Sequence, residues 1–221
     1  MNNLTLVIPA KYEASTLPTV LKELEKYNVK KVIVIPKYDN ETLEAAKNFH
    51  CEIVHQKGEG FGSALIEGIA TVKTKFLCIF NADGSFDPKD LSKMLNLCEN
   101  NLDFVFASRY LGEGGSDDDT FLTTLGNFIF SKIGNIFFSL RLSDILYTFL
   151  LGKTKSFKKL GLTSNDFCLC VEMPIKAKRN KMNYVDIPSH ERKRIAGFKK
   201  VNEFRDGFKI LFYMIKVFFK S

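Results

Sequence analysis

The sequence predicts an α/β protein with a mostly parallel central sheet and helices on both faces. Short apolar runs closed by turn residues recur at Leu4–Ile8, Lys31–Ile35, Glu52–His55, Phe76–Phe80 and Asp103–Ala107. The intervening segments carry apolar residues at helical spacing, and strands alternating with helices at this interval call for parallel crossovers. Phe76-Leu77-Cys78-Ile79-Phe80 is continuously apolar, as a strand covered on both faces requires.

The elements follow in order. Leu4 to Ile8 is a strand ended by Pro9 and Ala10. Ser15 or Thr16 caps a helix with Pro18 in its first turn, and Leu17, Val20, Leu21, Leu24 and Tyr27 form its apolar face. Pro36 closes the second strand, Asn40 opens a short helix to about Phe49, and Glu52–His55 is a weaker third strand. Gly60 to Val72 reads as a glycine-opened helix leading into Phe76–Phe80. Asp87 then caps a helix with Pro88 at its first position and Leu91, Met94, Leu95 and Cys98 on one face.

Beyond Tyr110 the character changes. Gly112, Gly114, Gly115 and the run Asp117-Asp118-Asp119 read as a solvated loop, with cation binding the less common alternative. Phe121 to Leu140 is a long apolar helix, Asn165 or Asp166 caps a helix through Glu172 and Ala177, and Tyr184–Ile187 is a late strand. The end, 201–221, sets ten apolar residues including Phe204, Phe208, Phe212 and Phe218 against Lys209, Lys216 and Lys220. So wide an apolar face is buried either against its own domain or in a lipid interface. The expected division is therefore a catalytic-type domain over 1–200 and an amphipathic helix over 201–221.

Composition narrows the function classes. A chain of 221 residues with 45% hydrophobic content can bury one substantial core. Five cysteines without a Cys-x-x-Cys pair point to a reducing compartment, and no His cluster joins Cys168 and Cys170 to make a structural zinc site. The start has no secretory pattern, and no run of about 18 apolar residues reads as a spanning helix. From Lys176 onward there are 13 Lys or Arg against 4 Asp or Glu, while the whole chain carries +7, so the basic excess belongs to one end. Without a nucleic-acid motif, that end fits an anionic membrane surface or a phosphate ligand.

Chemistry-bearing residues gather where strands stop. Asn81-Ala82-Asp83-Gly84 follows the central strand; it is either an ordinary strand-to-loop turn or, because ligands collect beyond the carboxyl ends of an open sheet, a substrate contact. The ordered series Val7-Ile8-Pro9-Ala10-Lys11-Tyr12-Glu13, Gly60-x-Gly62-x-Ala64-x-x-x-Gly68, Asn81-Ala82-Asp83 with Asp87-Pro88, Ala107-Ser108-Arg109-Tyr110, Ser143-Asp144 and Arg194-x-x-Gly197-x-x-Lys200 resembles the family 2 glycosyltransferases. The nearest branch is the dolichyl-phosphate mannosyltransferase and polyprenyl-phosphate glycosyltransferase one, and the likeness spans about Leu4 to Lys200.

That resemblance implies a GT-A fold, a nucleotide-sugar donor (a GDP- or UDP-sugar) and a Mg²⁺ or Mn²⁺ cofactor. It implies Pro9, Ala10 and Glu13 at the base and ribose, Gly60 and Gly62 where a helix start approaches the ligand or packs tightly, and Asp83 with Asn81 as metal ligands. Arg109, Arg194 and Lys200 are implied as cations for phosphate oxygens. The chain departs from the family at four places. Pro36-Lys37-Tyr38-Asp39 replaces an Asp-Asp-Gly-Ser strand end, leaving Asp39 as the substitute; Asn81 replaces an Asp; Leu150, with Tyr147 and Thr148, stands in an Arg-containing motif; Lys199 replaces a Ser.

The expected activity is metal-assisted, inverting sugar transfer to a polyprenyl or dolichyl phosphate at the cytoplasmic face of a membrane. A phosphate nucleophile is already largely ionised near neutrality and needs no general base; His50, His55 and His190 read as surface or strand-end residues. The alternatives are a family 2 enzyme extending a glycan chain, with Asp144 or Glu172 as the general base, and a silent subunit holding a partner through its C-terminal helix. A homo-oligomer or a small membrane protein is the further partner left open, and nucleic acid is not expected.

Overall fold

A computed structural model describes residues 1–220; Ser221, the last residue of the expected C-terminal segment, lies outside the described residues. Strands β1 (Leu4–Pro9), β2 (Lys30–Pro36), β3 (Glu52–Gln56), β4 (Phe76–Ile79) and β5 (Phe104–Ser108) alternate with helices α1 (Leu17–Leu24), α2 (Asn40–Ala46), α3 (Phe61–Thr71) and α4 (Leu91–Glu99). A short strand β6 (Gly115–Ser116) and helix α5 (Phe121–Phe138) follow, then β7 (Leu150–Lys153), α6 (Thr154–Lys159), α7 (Leu169–Arg179), β8 (Tyr184–Pro188), β9 (His190–Glu191) and α8 (Glu203–Phe218).

Seven strands form one sheet in the order β3-β2-β1-β4-β7-β5-β8. All neighbours are parallel except β7, which is antiparallel to both β4 and β5. No strand is expected from the sequence at Leu150–Lys153, where β7 forms. Four residues containing a glycine carry little periodic signal, yet Gly152 is what lets the strand fit: a Cβ there would lie 2.4 Å from the Phe104 ring.

The sheet is covered on both faces because its side chains alternate. Leu4, Leu6 and Ile8 of β1 and Phe76, Cys78 and Phe80 of the β4 segment pack with α1 and α4 on one side. Val7, Leu77 and Ile79 pack with α3 and α7 on the other. The start of α4 is refined from expectation: Asp87 caps a single 3-10 turn, Pro88–Asp90, through Lys89 N at 3.0 Å, and the α-helix begins at Leu91. Thr16 occupies the N-cap of α1 without capping it, since its hydroxyl donates instead to Glu13 Oε2 at 2.7 Å.

α5 is held at its start by a capping box in which Thr120 and Thr123 exchange backbone-to-hydroxyl bonds of 3.2 and 2.7 Å. α8 docks beside it: Ile210 and Met214 are buried in the second core layer, while Phe204, Phe208 and Phe212 stay exposed. The C-terminal helix is thus docked on its own domain by one face, and its other face is exposed.

Candidate active site

β1 leads to β2 and β3 on one side, whereas β4 returns to its other side, so the chain reverses direction across the sheet between β1 and β4. Parallel α/β sheets bind ligands at this point, where divergent loops leave a crevice. Val7 is in register with Ile79, which sets Pro9 and Ala10 on one wall and Asn81 to Asp83 on the other. The Ala10 N–H is already donated to the Val34 carbonyl at 2.9 Å.

Asp83 is the acidic centre of that crevice. Its Oδ1 accepts from Ser85 N at 3.0 Å and Ser85 Oγ at 2.7 Å, and Ser85 Oγ in turn accepts from Asn81 Nδ2 at 3.3 Å. Its Oδ2 faces Arg194 Nη1 at 3.6 Å. One carboxylate oxygen is thereby fixed while the other is left for a cation. Among the described residues no group of three or more His, Cys, Asp or Glu surrounds a common point. A Mg²⁺ or Mn²⁺ ion commonly takes one or two protein carboxylates and completes its shell with phosphate oxygens and water, and the Asp83 and Asn81 oxygens fit that donor set.

Arg194 is delivered by the segment after β9, which closes over the β4 end: Arg192 N donates to the Ser85 carbonyl at 2.8 Å and Ile195 N to the Asp83 carbonyl at 2.9 Å. Arg194 also forks onto Asp118, at 3.2 and 2.6 Å, with Lys199 at 3.9 Å. Burial alone would raise the Asp118 carboxyl, but the hydrogen bonds and charge of Arg194, then Lys199, hold it below its ordinary value. Lys200 pairs with Glu13. The triple-Asp loop is solvated only at Asp117, whose side chain is 57% exposed. Asp118 binds Arg194, Asp119 binds Arg109 at 3.1 Å, and Asp117 meets His190 at 3.0 Å.

Arg109, Asp144, Glu172 and Asp39 are held by protein partners in place of the expected ligand. Arg109 does not turn toward a phosphate: its three guanidinium nitrogens bond Asp144 at 2.8 and 3.2 Å, Asp119 at 3.1 Å and Glu191 at 3.1 Å. Burial opposes its charge, but Asp144 and then Glu191 and Asp119 raise its pKa well above the ordinary value. Burial pushes the Glu191 carboxyl up, with Arg109 only partly opposing. Asp144 is not a base candidate, since it is 1% exposed and also accepts from Arg109 N and Tyr147 N. Glu172 is equally committed, accepting from Thr163 N, Thr163 Oγ1 and Ser164 N at 2.8–2.9 Å and pairing with Lys176 at 2.6 Å.

Gly60 and Gly62 approach protein rather than ligand. A Cβ on Gly60, whose φ is +95°, would fall 2.3 Å from the Asn165 carbonyl oxygen, and one on Gly62 2.1 Å from that of Ser164. The tight-packing alternative accounts for both. Asp39 has each oxygen on a backbone N–H, Thr42 at 3.2 Å and Tyr12 at 2.5 Å, so it caps α2 and ties the ends of β1 and β2 together.

Tyr12 and Tyr38 stand exposed at the β1 and β2 ends with ring centroids 6.3 Å apart, and Lys11 Nζ lies 5.4 and 5.8 Å from the two rings. Tyr12 is held at φ +56°, a costly conformation for a bulky side chain. The signal was present as two tyrosines at successive strand ends, but nothing in one dimension pairs them.

Comparison with known proteins agrees with this architecture. The sequence description of glycosyl transferase family 2 matches residues 5–161. The glycosyltransferase AglJ of Haloferax volcanii is 24% identical over 205 residues, covering 91% of this chain and 67% of its own. From the same organism, the low-salt glycan biosynthesis hexosyltransferase Agl6 is 22% identical over 198 residues, 88% of this chain and 47% of its own.

Among solved structures, glucosyl-3-phosphoglycerate synthase from Mycobacterium tuberculosis, in complex with Mn²⁺, UDP and phosphoglyceric acid, superposes with a TM-score of 0.75 at 12% identity, over 97% of this chain and 78% of that one. Mannosyl-3-phosphoglycerate synthase from Rubrobacter xylanophilus gives 0.69 at 16%, over 98% and 72%. With the family match spanning most of the sheet and the strand-order reversal holding Asp83, the chain belongs to glycosyl transferase family 2 and is a glycosyltransferase of GT-A fold.

Proposed function

We propose that the chain transfers a sugar from a nucleotide-diphosphate donor, with inversion, to a polyprenyl or dolichyl phosphate presented at the cytoplasmic face of a membrane. The observation that carries the acceptor class is the state of the carboxylates first in line to be the base. Asp144 and Glu172 are both fully buried and saturated with donors. A hydroxyl acceptor must lose a proton to a base within reach, whereas a phosphate oxygen is already an anion near neutrality.

The donor fits the crevice by charge and shape. Tyr12 and Tyr38 offer flat apolar faces for a nucleobase beside Pro9 and Ala10. Asp83 with Asn81 would hold the Mg²⁺ or Mn²⁺ ion, and such an ion supplies neutralisation of the diphosphate as it departs. Arg194, paired at present with Asp118 and Asp83, adds a second cation that binds phosphate oxygens in a fork and cannot lose its proton. The leaving diphosphate thus meets positive charge fixed before the sugar bond breaks, which lowers the barrier more than charge that must reorganise. Glu13 holds Lys200 at the same rim.

A glycan-extending transferase is the second reading, and one observation favours it. Asp166 is 41% exposed at its side chain. It lines a cavity of about 510 Å³ together with Gly60, Phe61, Lys209 and Tyr213; its Oδ1 accepts from Cys168 N at 3.0 Å and its Oδ2 lies 3.8 Å from Lys209 Nζ, so it is the solvent-open carboxylate from which this reading would draw a base.

Transfer from radiolabelled UDP- and GDP-sugars, with Mn²⁺, to a polyprenyl phosphate and to an oligosaccharide separates the two. The lipid reading expects product only with the phosphate and full activity in Asp166→Asn. Product on the oligosaccharide, lost in Asp166→Asn, would overturn it. In either case Asp83→Ala is expected to abolish Mn²⁺-dependent nucleotide binding by calorimetry, and unchanged binding would remove the metal role.

A further inference from the structure

Two helices leave the rim of the cleft with large apolar side chains in solvent. α5 begins just after Asp118 and Asp119, which bind Arg194 and Arg109. α8 begins just after the segment ending in Lys200, which pairs with Glu13. Their far ends meet, with the Phe218 ring 5.4 Å from Phe137 and 6.0 Å from Phe138. The two helices therefore run side by side away from the site, over about 27 Å at 1.5 Å per residue for the 18 residues of α5.

Each is docked by one stripe only. On the other stripe Phe121 is 85% exposed, Phe128 59% and Ile136 70%, with Phe204, Phe208 and Phe212 similarly open on α8. Soluble monomers rarely show contiguous apolar area beyond a few hundred Å², and larger patches mark interaction sites. On the loop that carries Arg194, Phe198 is 92% exposed.

The charges around this face select the occupant. α5 contains a single charged residue, Lys132; α8 carries Arg205, Lys209 and Lys216 against Glu203 and Asp206 in its first turn, with Lys220 beyond its end, so the outer two-thirds of the pair is purely basic. A second copy would bring a like-charged fringe against this one. An anionic phospholipid surface would instead take the phenylalanines into its acyl boundary and the lysines onto its headgroups. Among the described residues no helix is long and apolar enough to cross a membrane, so the fit is to a helix pair lying in the interface.

We propose that α5 and α8 together form a docking platform for anionic phospholipid, with the Asp83 cleft at its edge. It deepens the lipid-acceptor reading above and rests on it for purpose: the pair sets the cleft against the leaflet from which an acceptor phosphate would be drawn. The platform involves α5 as much as the C-terminal helix.

The test is sedimentation of the full chain with vesicles of phosphatidylcholine alone or mixed with phosphatidylglycerol, without sugar nucleotide. Wild type is expected to pellet with the anionic vesicles. Phe128→Glu on α5 and Phe212→Glu on α8 are each expected to lower partitioning about tenfold, and Lys209→Glu/Lys216→Glu at least about thirtyfold, given roughly 1 kcal/mol for each of two basic residues near an anionic surface. All four residues are exposed, and an unchanged thermal melt confirms the fold.

Phe128→Glu pelleting like wild type would overturn the platform, as would equal binding to neutral vesicles. A wild-type dimer by analytical ultracentrifugation that Phe128→Glu dissolves, with no lipid binding, would also overturn it by assigning the face to a second copy. Mn²⁺-dependent nucleotide binding in lipid-free solution is read separately, so failure of the platform leaves the transferase reading standing, and the reverse.

Discussion

At the residue scale, the division of labour among charged side chains differs from what their spacing suggests. Arg109 lies among Asp144, Asp119 and Glu191 with its side chain 11% exposed, so it joins the β5 end to the acidic loop. Arg109→Met is expected to leave buried carboxylates uncompensated and to destabilise by about 3–5 kcal/mol, read as a lower urea midpoint. A variant of wild-type stability with lost nucleotide binding would return Arg109 to phosphate recognition. Glu172 titrates below its ordinary value of 4.5: burial would raise it, but Lys176, Ser164 and Thr163 lower it further. Its contribution is present above 4.5 and lost as pH falls through the lower folded value. The stability gap between wild type and Glu172→Gln should hold at neutral pH and narrow on acidification; a gap independent of pH down to 3 would contradict this.

At the scale of elements, the start of α3 shows why a glycine pattern can be read two ways. The Ser63 N–H donates to the Asn165 carbonyl at 3.1 Å, pulling the helix onto the segment before α7 so closely that no side chain fits at Gly62. Gly62→Ala is expected to cost about 1–3 kcal/mol through overpacking against backbone that cannot retreat. Chemical denaturation checks the value, and a neutral substitution would mean the 164–166 segment gives way. From sequence, the glycines marked a close approach but not what approaches. The four-residue β7 was illegible for a related reason: its stability comes from β4 and β5 on either side, partners distant in the chain.

At the scale of the whole molecule, α8 is both part of the core and a surface element. Ending the chain at Lys200 removes the buried Ile210 and Met214 from the second core layer. A loss of about 3 kcal/mol follows from two fully buried apolar side chains, measurable as a lower urea midpoint together with loss of vesicle binding. Unchanged stability would show that the helix is only appended.

The sequence by itself determined the α/β class, the succession of strands and helices in the first half, the family and the place of Asp83 at a strand end, because apolar period and strand-end turns are local properties that survive in one dimension. Only the tertiary structure decided which charges are available. Arg109, Asp144 and Glu172 look as reactive in the sequence as Asp83 does. Their partners come from segments up to 82 residues away, as Glu191 does to Arg109, and a charge is spent or free according to what folding brings against it.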